Sequence, residues 1–159
     1  MSGSGSVENL SARARRLIDD AMYLTLATAD DDGRPWASPL WFAPSGYSEF
    51  LWVSDPEARH SRNLTSRPEV AIVIFDSTVG IGAAEAVYVE ASAEQLAGSE
   101  LERAIAVYSA RSKAVGAREW TLADVRSPAR LRLFRAAASA QFVLGPDDRR
   151  VPVTPGDQP

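Results

Sequence analysis

The sequence has no cysteine and only one histidine, His60, among its 159 residues. Without cysteine the chain forms neither disulfides nor thiolate ligands, and one histidine cannot complete the four ligands that a structural zinc site usually requires. Nothing in the sequence resembles the nucleophile elbow of a Ser-His-Asp enzyme. We therefore predict no metal site, assign no catalytic residue, and expect any chemistry to be carried by a bound cofactor.

Long apolar runs are also missing from the sequence. No segment approaches the roughly 20 consecutive apolar residues that a membrane helix needs. Residues 1–6 have neither the charged region nor the apolar region of a secretory signal. We expect a cytoplasmic protein without a membrane partner, in which residues 1–6 form a flexible tail.

The chain has fewer basic than acidic residues, 17 against 21, and its net charge is −4. A general nucleic-acid-binding protein usually carries a basic surface, so we expect no nucleic-acid partner. Apolar residues make up 45% of the chain, which is enough to build a core. The length is typical of a single domain.

Short strands separated by turns dominate the pattern of the chain. Strands are predicted at 23–29, 34–43, 49–54, 70–75, 86–94, 130–136 and 141–144, and helices at 7–21 and 99–113, with a short turn or helix at 120–125. The first three strands are expected to form a meander of hairpins, and the unbroken apolar segment 70–75 is expected to be covered on both faces. The pattern predicts a closed sheet or barrel with a few helices outside.

Two prolines limit how the predicted second strand can pair with neighbouring strands. Pro35 and Pro39 are awkward in a central strand, because proline donates no hydrogen bond to a neighbouring strand. We therefore expect residues 34–43 to form an edge strand, a bulged strand, or a strand that lies beside something other than another strand.

A short helix is predicted between the third strand and the segment 70–75, ending near Arg67. Asp55 is a candidate N-cap with Pro56 at the first helical position. Ser54 and Glu57, three residues apart, form an alternative capping box.

This helix carries an unusual share of the chain's positive charge: Arg59, His60, Arg62 and Arg67. One interpretation is a solvated helix face, and a second is contact with nucleic acid. The third is a phosphate site, because a helix N-terminus presents free N–H groups and arginine matches phosphate with two parallel hydrogen bonds. The residue types alone leave the solvated face and the phosphate site open.

The stretch SDPEARHSRNLTSRPEVAIVIF, residues 54–75, resembles the flavin-binding split-barrel superfamily typified by pyridoxamine 5'-phosphate oxidase. The resemblance extends to GRPWASPLWF at 33–42 and to AVYVEASAEQL at 86–96. It implies a mainly β fold with α-helices, a six- to seven-stranded antiparallel split β-barrel with flanking helices, over residues 7–146. Residues 147–159 are then expected to form a C-terminal tail. It also implies FMN as cofactor and a homodimer whose cofactor site forms across the two-fold interface.

The resemblance also implies a set of cofactor-binding residues. Arg59 and His60 fall where the oxidases carry the Arg-Lys pair that holds the FMN phosphate. The isoalloxazine ring is expected beside four consecutive residues of the second strand: Ser38, Pro39, Leu40 and Trp41. The third strand ends at the phosphate and ribityl side with Val53 and Ser54, of which Ser54 either binds the phosphate or caps the helix.

The sequence departs from the oxidases at three positions. Glu85 and Ala86 stand where a flavin-contacting glutamine is usual, Val143 replaces a tryptophan, and no histidine follows Arg149 and Arg150. We therefore predict a flavin-dependent oxidoreductase acting on an unidentified small-molecule substrate, and not a true pyridoxamine phosphate oxidase. The alternatives are a non-enzymatic flavin- or haem-binding protein, in which His60 is the one possible imidazole ligand, and a deazaflavin-dependent reductase.

Overall fold

An antiparallel β-sheet with three helices around it makes up the structure, a computed structural model that describes residues 4–156, with side chains from residue 10 onward. The elements in chain order are α1 (Ser4–Asp20), β1 (Tyr23–Ala29), β2 (Pro35–Trp41), β3 (Ala43–Ser45), β4 (Glu49–Ser54), α2 (Arg59–Ser66), β5 (Glu69–Phe75), β6 (Ala86–Gln95), α3 (Gly98–Ala114), β7 (Arg132–Leu144) and β8 (Arg150–Val153). Single turns of 3₁₀ helix occupy Leu122–Asp124 and Pro146–Asp148.

The sheet curls into a half-barrel. Its strand order is β2-β1-β5-β6-β7-β4-β3, with β8 beside β7, and every pairing is antiparallel. The two ends of this order, β2 and β3, are separated along the chain by Phe42 alone. Both ends must therefore come together, which bends the sheet around its own interior. The predicted split barrel with flanking helices is confirmed.

The main core fills the inside of the curl. Trp52 is fully buried there and stacks on Phe134 with ring centroids 5.9 Å apart, while Phe42 packs on Phe50. Leu17 and Ile18 of α1 and Leu64 of α2 close the interior. Each side chain of this size contributes about 1.5–3 kcal/mol through burial.

A second, smaller core lies on the outside of the sheet. There α3 packs its buried Ile105 and Tyr108 against Leu51 of β4 and Leu133 of β7. The helix thus covers the outer face of β3, β4 and β7 and the Trp41 end of β2, and within residues 4–156 no helix covers the outer face of β1, of β5 or of the rest of β2.

The expected meander of the first three strands is wrong. The hairpin of β1 and β2 forms as predicted, but the third predicted strand, β4, pairs with β3 and β7. The reason is the break at Phe42, which ends the second strand earlier than expected and sends the chain to the other side of the curl. The edge position of β2 is confirmed, and Pro35 and Pro39 are accommodated there.

Strand β5 is not covered on both faces, contrary to the prediction. Val70, Ile72 and Ile74 face the core, whereas Ala71 and Phe75 are exposed, Phe75 at 52%. An unbroken apolar run is compatible with a strand covered on both faces and also with a strand whose apolar outer face is exposed. Here the outer face is exposed, because α3 covers the other half of the sheet. The outer face of β1, β5 and β2 up to Pro39 is consequently an uncovered apolar surface.

The C-terminal part of the chain is more ordered than predicted. The segments 130–136 and 141–144 belong to one long strand, β7, in which a bulge at Ser139 shifts the register against β6. Residues 150–153, expected to be part of a tail, form β8 and bury Val153 in the core. A four-residue strand with two valines gives a weak signal, and it forms because the edge of β7 is available.

The expected N-terminal tail also differs in part, since residues 4–6 belong to α1. Residues 1–3 and 157–159 lie outside the described residues. No helix within the described range is long and apolar enough to span a membrane.

Candidate functional site

The site begins at the N-terminus of α2, where the structure corrects the predicted cap. The helix starts at Arg59, its N-cap is Ala58, and no side chain caps it. Asp55 instead accepts a hydrogen bond from the backbone N–H of Glu57 at 2.9 Å and forms a turn before the helix. Because the turn uses Asp55 locally, the first N–H groups of α2 are left without a side-chain acceptor, as in anion-binding helix termini.

Ser54 and His60 meet directly beside this terminus. Ser54 is the last residue of β4 and is buried, and its Oγ lies 2.9 Å from Nε2 of the half-buried His60. Burial lowers the pKa of His60 below its usual value of 6.5. The imidazole is therefore mainly neutral at pH 7, with a polar partner already aligned to its ring nitrogen.

Arg59 stacks on an aromatic side chain from the neighbouring hairpin. Its guanidinium lies 4.2 Å from the ring centroid of Trp36, which is 40% exposed. The pKa of Asp30 is lowered first by a hydrogen bond from the backbone N–H of Arg34, and the charge of Arg59 makes the smallest contribution to this lowering. Stacking orients the guanidinium and leaves its N–H edge available to a ligand.

A buried hydrogen-bond chain fixes α2 against this hairpin. Asn63 Nδ2 donates to Thr28 Oγ1 at 3.0 Å, and Thr28 Oγ1 donates to the backbone carbonyl of Trp36 at 3.4 Å. These contacts give Asn63 a structural role. The chain holds Arg59 and Trp36 in register across two elements that are distant in sequence.

The four candidate ring residues on β2 divide between the two faces of the sheet. Ser38 pairs with Leu26 and is buried, and Leu40 packs against the main core. Pro39 is exposed on the outer face, and Trp41 belongs to the outer core with α3. Alternation along a strand makes this division unavoidable.

Trp41 and Val53 are backed by a buried tyrosine of α3, Tyr108, which lies on the apolar face of that helix. The ring of Tyr108 meets Trp41 edge to face at a centroid distance of 5.0 Å, and Val53 packs in the same cluster. Burial raises the pKa of Tyr108 to about 12, so the phenol stays protonated at physiological pH. Tyr108 therefore stabilises the outer end of β2 by packing.

The structure thus assembles part of the predicted set. It brings Ser54, Arg59 and His60 to one helix terminus, and it adds Trp36, whose signal was its position two residues before Ser38 on the same strand. It does not bring Ser38 and Leu40 to the outer face.

A sequence model of the pyridoxamine 5'-phosphate oxidase family matches residues 10–142. This chain belongs to the pyridoxamine 5'-phosphate oxidase family. No curated protein sequence matches it.

Solved structures with the same fold differ in what they bind. A haem-binding protein from Mycobacterium smegmatis has a TM-score of 0.70 and 23% identity over 91% of this chain, which spans 58% of that protein. The haem storage protein of Vibrio cholerae has a TM-score of 0.67 and 25% identity, over 84% of this chain and 94% of its own. An FAD-binding protein from Mesorhizobium loti has a TM-score of 0.61 and 21% identity, over 83% and 91% respectively. An F420 reductase is similar as well, with a TM-score of 0.60 and 19% identity over 80% of this chain and 94% of its own.

Two positions at which the sequence analysis predicts a departure from the oxidases are apolar in the structure. Ala86 is buried and pairs with Phe75 at the end of β5, and Val143 is fully buried in the main core. Neither side chain can donate a hydrogen bond. Glu85 is held by salt bridges to Arg13 and Arg16, at 3.5 and 2.8 Å, so it does not replace the missing glutamine.

Proposed function

We propose that this protein binds FMN and acts as a flavin-dependent oxidoreductase on a small organic substrate. The observation that supports the cofactor is the convergence of Ser54, Arg59 and His60 at the uncapped N-terminus of α2. A phosphate there would meet backbone N–H groups, a guanidinium and a hydroxyl at once. This donor set suits a phosphate ester and offers nothing specific to a neutral ligand.

The residues fit the charge of the FMN phosphate. Among the described residues, no carboxylate lies within salt-bridge distance of Arg59, and its stacking on Trp36 costs none of its hydrogen-bond donors. Ser54 and His60 both have a hydrogen-bonding atom that can turn from each other to a ligand. If the basic residues of α2 only formed a solvated helix face, the burial of Ser54 beside His60 would have no explanation.

The isoalloxazine ring is proposed to lie along the outer face of β2. Pro39 and Trp41 supply side-chain contact, whereas Ser38 and Leu40 contribute backbone only, because their side chains face the core. As an edge strand, β2 has backbone groups that no other strand uses. Those groups can bond the polar edge of a flavin.

The bound flavin would supply hydride transfer, and the chain supplies phosphate grip and ring orientation. No acid or base is assigned to any residue. Oxidation of pyridoxamine phosphate itself is disfavoured, because Ala86 and Val143 cannot make the polar and aromatic contacts of the oxidases. The substrate is therefore proposed to be a different molecule.

Two copies of the chain are proposed to form the functional unit. The uncovered outer face centres on Ala27 and Ala71, which pair across β1 and β5 and are both exposed. Small side chains there let a second sheet approach closely, and a two-fold axis would use the same face twice. Covering this face would also enclose the ring beside β2.

A second candidate function is haem binding without catalysis. His60 is the one histidine of the chain, and two haem proteins share the fold. Axial ligation would require Nε2 of His60 to leave Ser54, 2.9 Å away, or the ring to use its other nitrogen. A deazaflavin cofactor is the third possibility, favoured only by the similarity to an F420 reductase.

Absorption spectra separate the three cofactors. The purified chain would be titrated with FMN, riboflavin, haemin and F420, and each dissociation constant measured by absorbance and fluorescence. The proposal requires that FMN binds more tightly than the other three ligands. Tight haemin binding with a Soret shift that is lost in His60→Ala would favour the second candidate instead.

A further inference from the structure

We propose that a cavity at the opposite end of β1 from the phosphate site binds an apolar organic cation, a molecule with a hydrophobic body and a protonated amine. The cavity has a volume of about 520 Å³ and lies between the C-terminal end of α1, the start of β1 and the 76–79 segment that follows β5. Ligand pockets of this volume accept a molecule of one or two rings.

The wall of this cavity is hydrophobic and unusually exposed. Met22, Tyr23, Phe75 and Val79 all line it, and they are 44%, 61%, 52% and 43% exposed. Single exposed apolar side chains are normal, but four large ones around one concavity indicate a surface that a ligand covers. Tyr23 and Phe75 are end residues of β1 and β5, away from the Ala27–Ala71 pair on which the proposed contact between two copies centres. The hydrophobic part of the ligand is assigned to this wall.

The charges of the lining are mainly negative. Asp20, Asp76 and Glu85 line the cavity together with a single basic residue, Arg16. Glu85 already forms a salt bridge with Arg16 at 2.8 Å and a second one with Arg13. Asp76 accepts hydrogen bonds from the backbone N–H and the hydroxyl of Thr78 at 2.8 and 2.6 Å, both through Oδ1, so a cationic ligand can pair with its Oδ2 and with Asp20.

Asp20 sits where an acidic residue is locally unfavourable. It is the last residue of α1, and the last turn of this helix has no basic residue. The carbonyl end of a helix carries partial negative charge, which disfavours a carboxylate and favours a cation. Arg16, one turn earlier, is close enough for its charge to interact with Asp20, but among the described residues Asp20 forms no salt bridge, so its carboxylate stays open to a ligand.

The neighbouring Asp19 differs from Asp20 in its contacts. Asp19 has a structural partner, because Tyr47 donates its hydroxyl to the Asp19 carboxylate at 2.8 Å. From α3, Arg111 donates to the backbone carbonyls of Asp19 and Ala21 at 2.7 and 3.3 Å. This helix end therefore already attracts one cation, and Arg111 is not part of the cavity lining.

The cavity also has a defined relation to the proposed flavin. Tyr23 pairs directly with Trp41 in the β1–β2 hairpin, so the cavity opens one strand away from the proposed ring position. If the proposed function holds, the bound cation is a candidate substrate. Binding itself involves none of the phosphate-site residues and needs no cofactor.

Three probes with one indole ring and different charge test the proposal. Tryptamine, tryptophol and indole-3-acetate would be titrated calorimetrically into the full chain without cofactor, at fixed ionic strength. We expect tryptamine to bind about fivefold more tightly than tryptophol, the upper range for a solvent-accessible ion pair, and indole-3-acetate to bind most weakly. Amide NMR shifts should localise to residues 20–23 and 75–79.

Variants assign the preference to individual side chains. Asp20→Asn should remove the advantage of tryptamine and leave tryptophol unchanged, while Tyr23→Ala should weaken all three probes. The matched control is Glu102→Gln, which removes an exposed carboxylate from α3. Because Asp20 is exposed, its variant should keep or raise the melting temperature, which confirms folding.

Equal affinity for the three probes would overturn the proposal, and so would absence of binding at millimolar concentration. It would also be overturned if Glu102→Gln had the same effect as Asp20→Asn. Since FMN is absent throughout, failure of the flavin proposal would not change these outcomes.

Discussion

Replacing Arg59 separates recognition of the phosphate from recognition of the flavin ring. In the structure its guanidinium is exposed, stacked on Trp36 at 4.2 Å, and next to the uncapped start of α2. A charge-assisted hydrogen bond contributes about 1.5–3 kcal/mol. Arg59→Ala should therefore weaken FMN binding about 10- to 100-fold and leave the affinity for riboflavin, which lacks the phosphate, nearly unchanged.

Two further variants refine this prediction. Arg59→Lys keeps the charge but loses the planar fork, so its FMN affinity should lie between those of the wild type and Arg59→Ala. Trp36→Leu should weaken FMN binding by about two- to fivefold, because the cation–π contact that orients Arg59 is worth about 0.5–1 kcal/mol at an exposed site. Riboflavin should again be insensitive, provided that Trp36 does not contact the ring.

The assay is fluorescence quenching of FMN and of riboflavin at fixed ionic strength, since salt screens phosphate contacts. Arg62→Ala is the matched control, because Arg62 is an exposed arginine one turn further along α2. If Arg59→Ala weakened both ligands equally, or if Arg62→Ala matched its effect on FMN, Arg59 would not be a phosphate ligand.

The remaining predictions concern pH, assembly and stability. Burial lowers the pKa of His60 in the free protein, and a phosphate dianion would raise it in the complex, so the contribution of His60 to FMN affinity is full below the free-state pKa and is lost as pH rises through the bound-state pKa. The affinity for FMN should therefore fall with rising pH above about 6.5, whereas the affinity for riboflavin should not. His60→Lys should flatten the FMN curve, and identical pH profiles for the two ligands would contradict a phosphate contact. Light scattering at micromolar concentration should give a dimer that Ala71→Glu converts to a monomer, and a wild-type monomer that still binds FMN would argue against the shared site. Asn63→Ala should lower the free energy of unfolding by about 1–3 kcal/mol in urea denaturation, because it leaves Thr28 buried without its donor; an unchanged midpoint would show that the link between α2 and β1 is dispensable. Val153→Asp should lower the melting temperature by several degrees, since it places a carboxylate in the core, whereas an unaffected transition would mean that β8 contributes nothing to the fold.

The sequence by itself determined the kind of fold and the location of the basic helix. Alternating apolar residues predicted most strands, and Pro35 and Pro39 predicted that the second strand is an edge strand, is bulged, or lies beside something other than a strand, because proline cannot donate to a neighbouring strand. The order of a strand end, a serine and two basic residues left a solvated helix face and a phosphate site both open, and the resemblance to the family favoured the phosphate site. These signals are local, and each depends on residues within a few positions of one another.

Only the tertiary structure decided which surfaces are covered and which side chains meet. The run 70–75 is equally apolar on both faces, and its outer face stays open because α3, about thirty residues later, packs on β3, β4 and β7 instead. The stacking of Arg59 on Trp36 and the cavity between α1 and the 76–79 segment likewise join parts of the chain that are far apart in sequence. Periodicity assigns a side chain to one face of its own element, but the partner of that face is set by how the whole sheet curls.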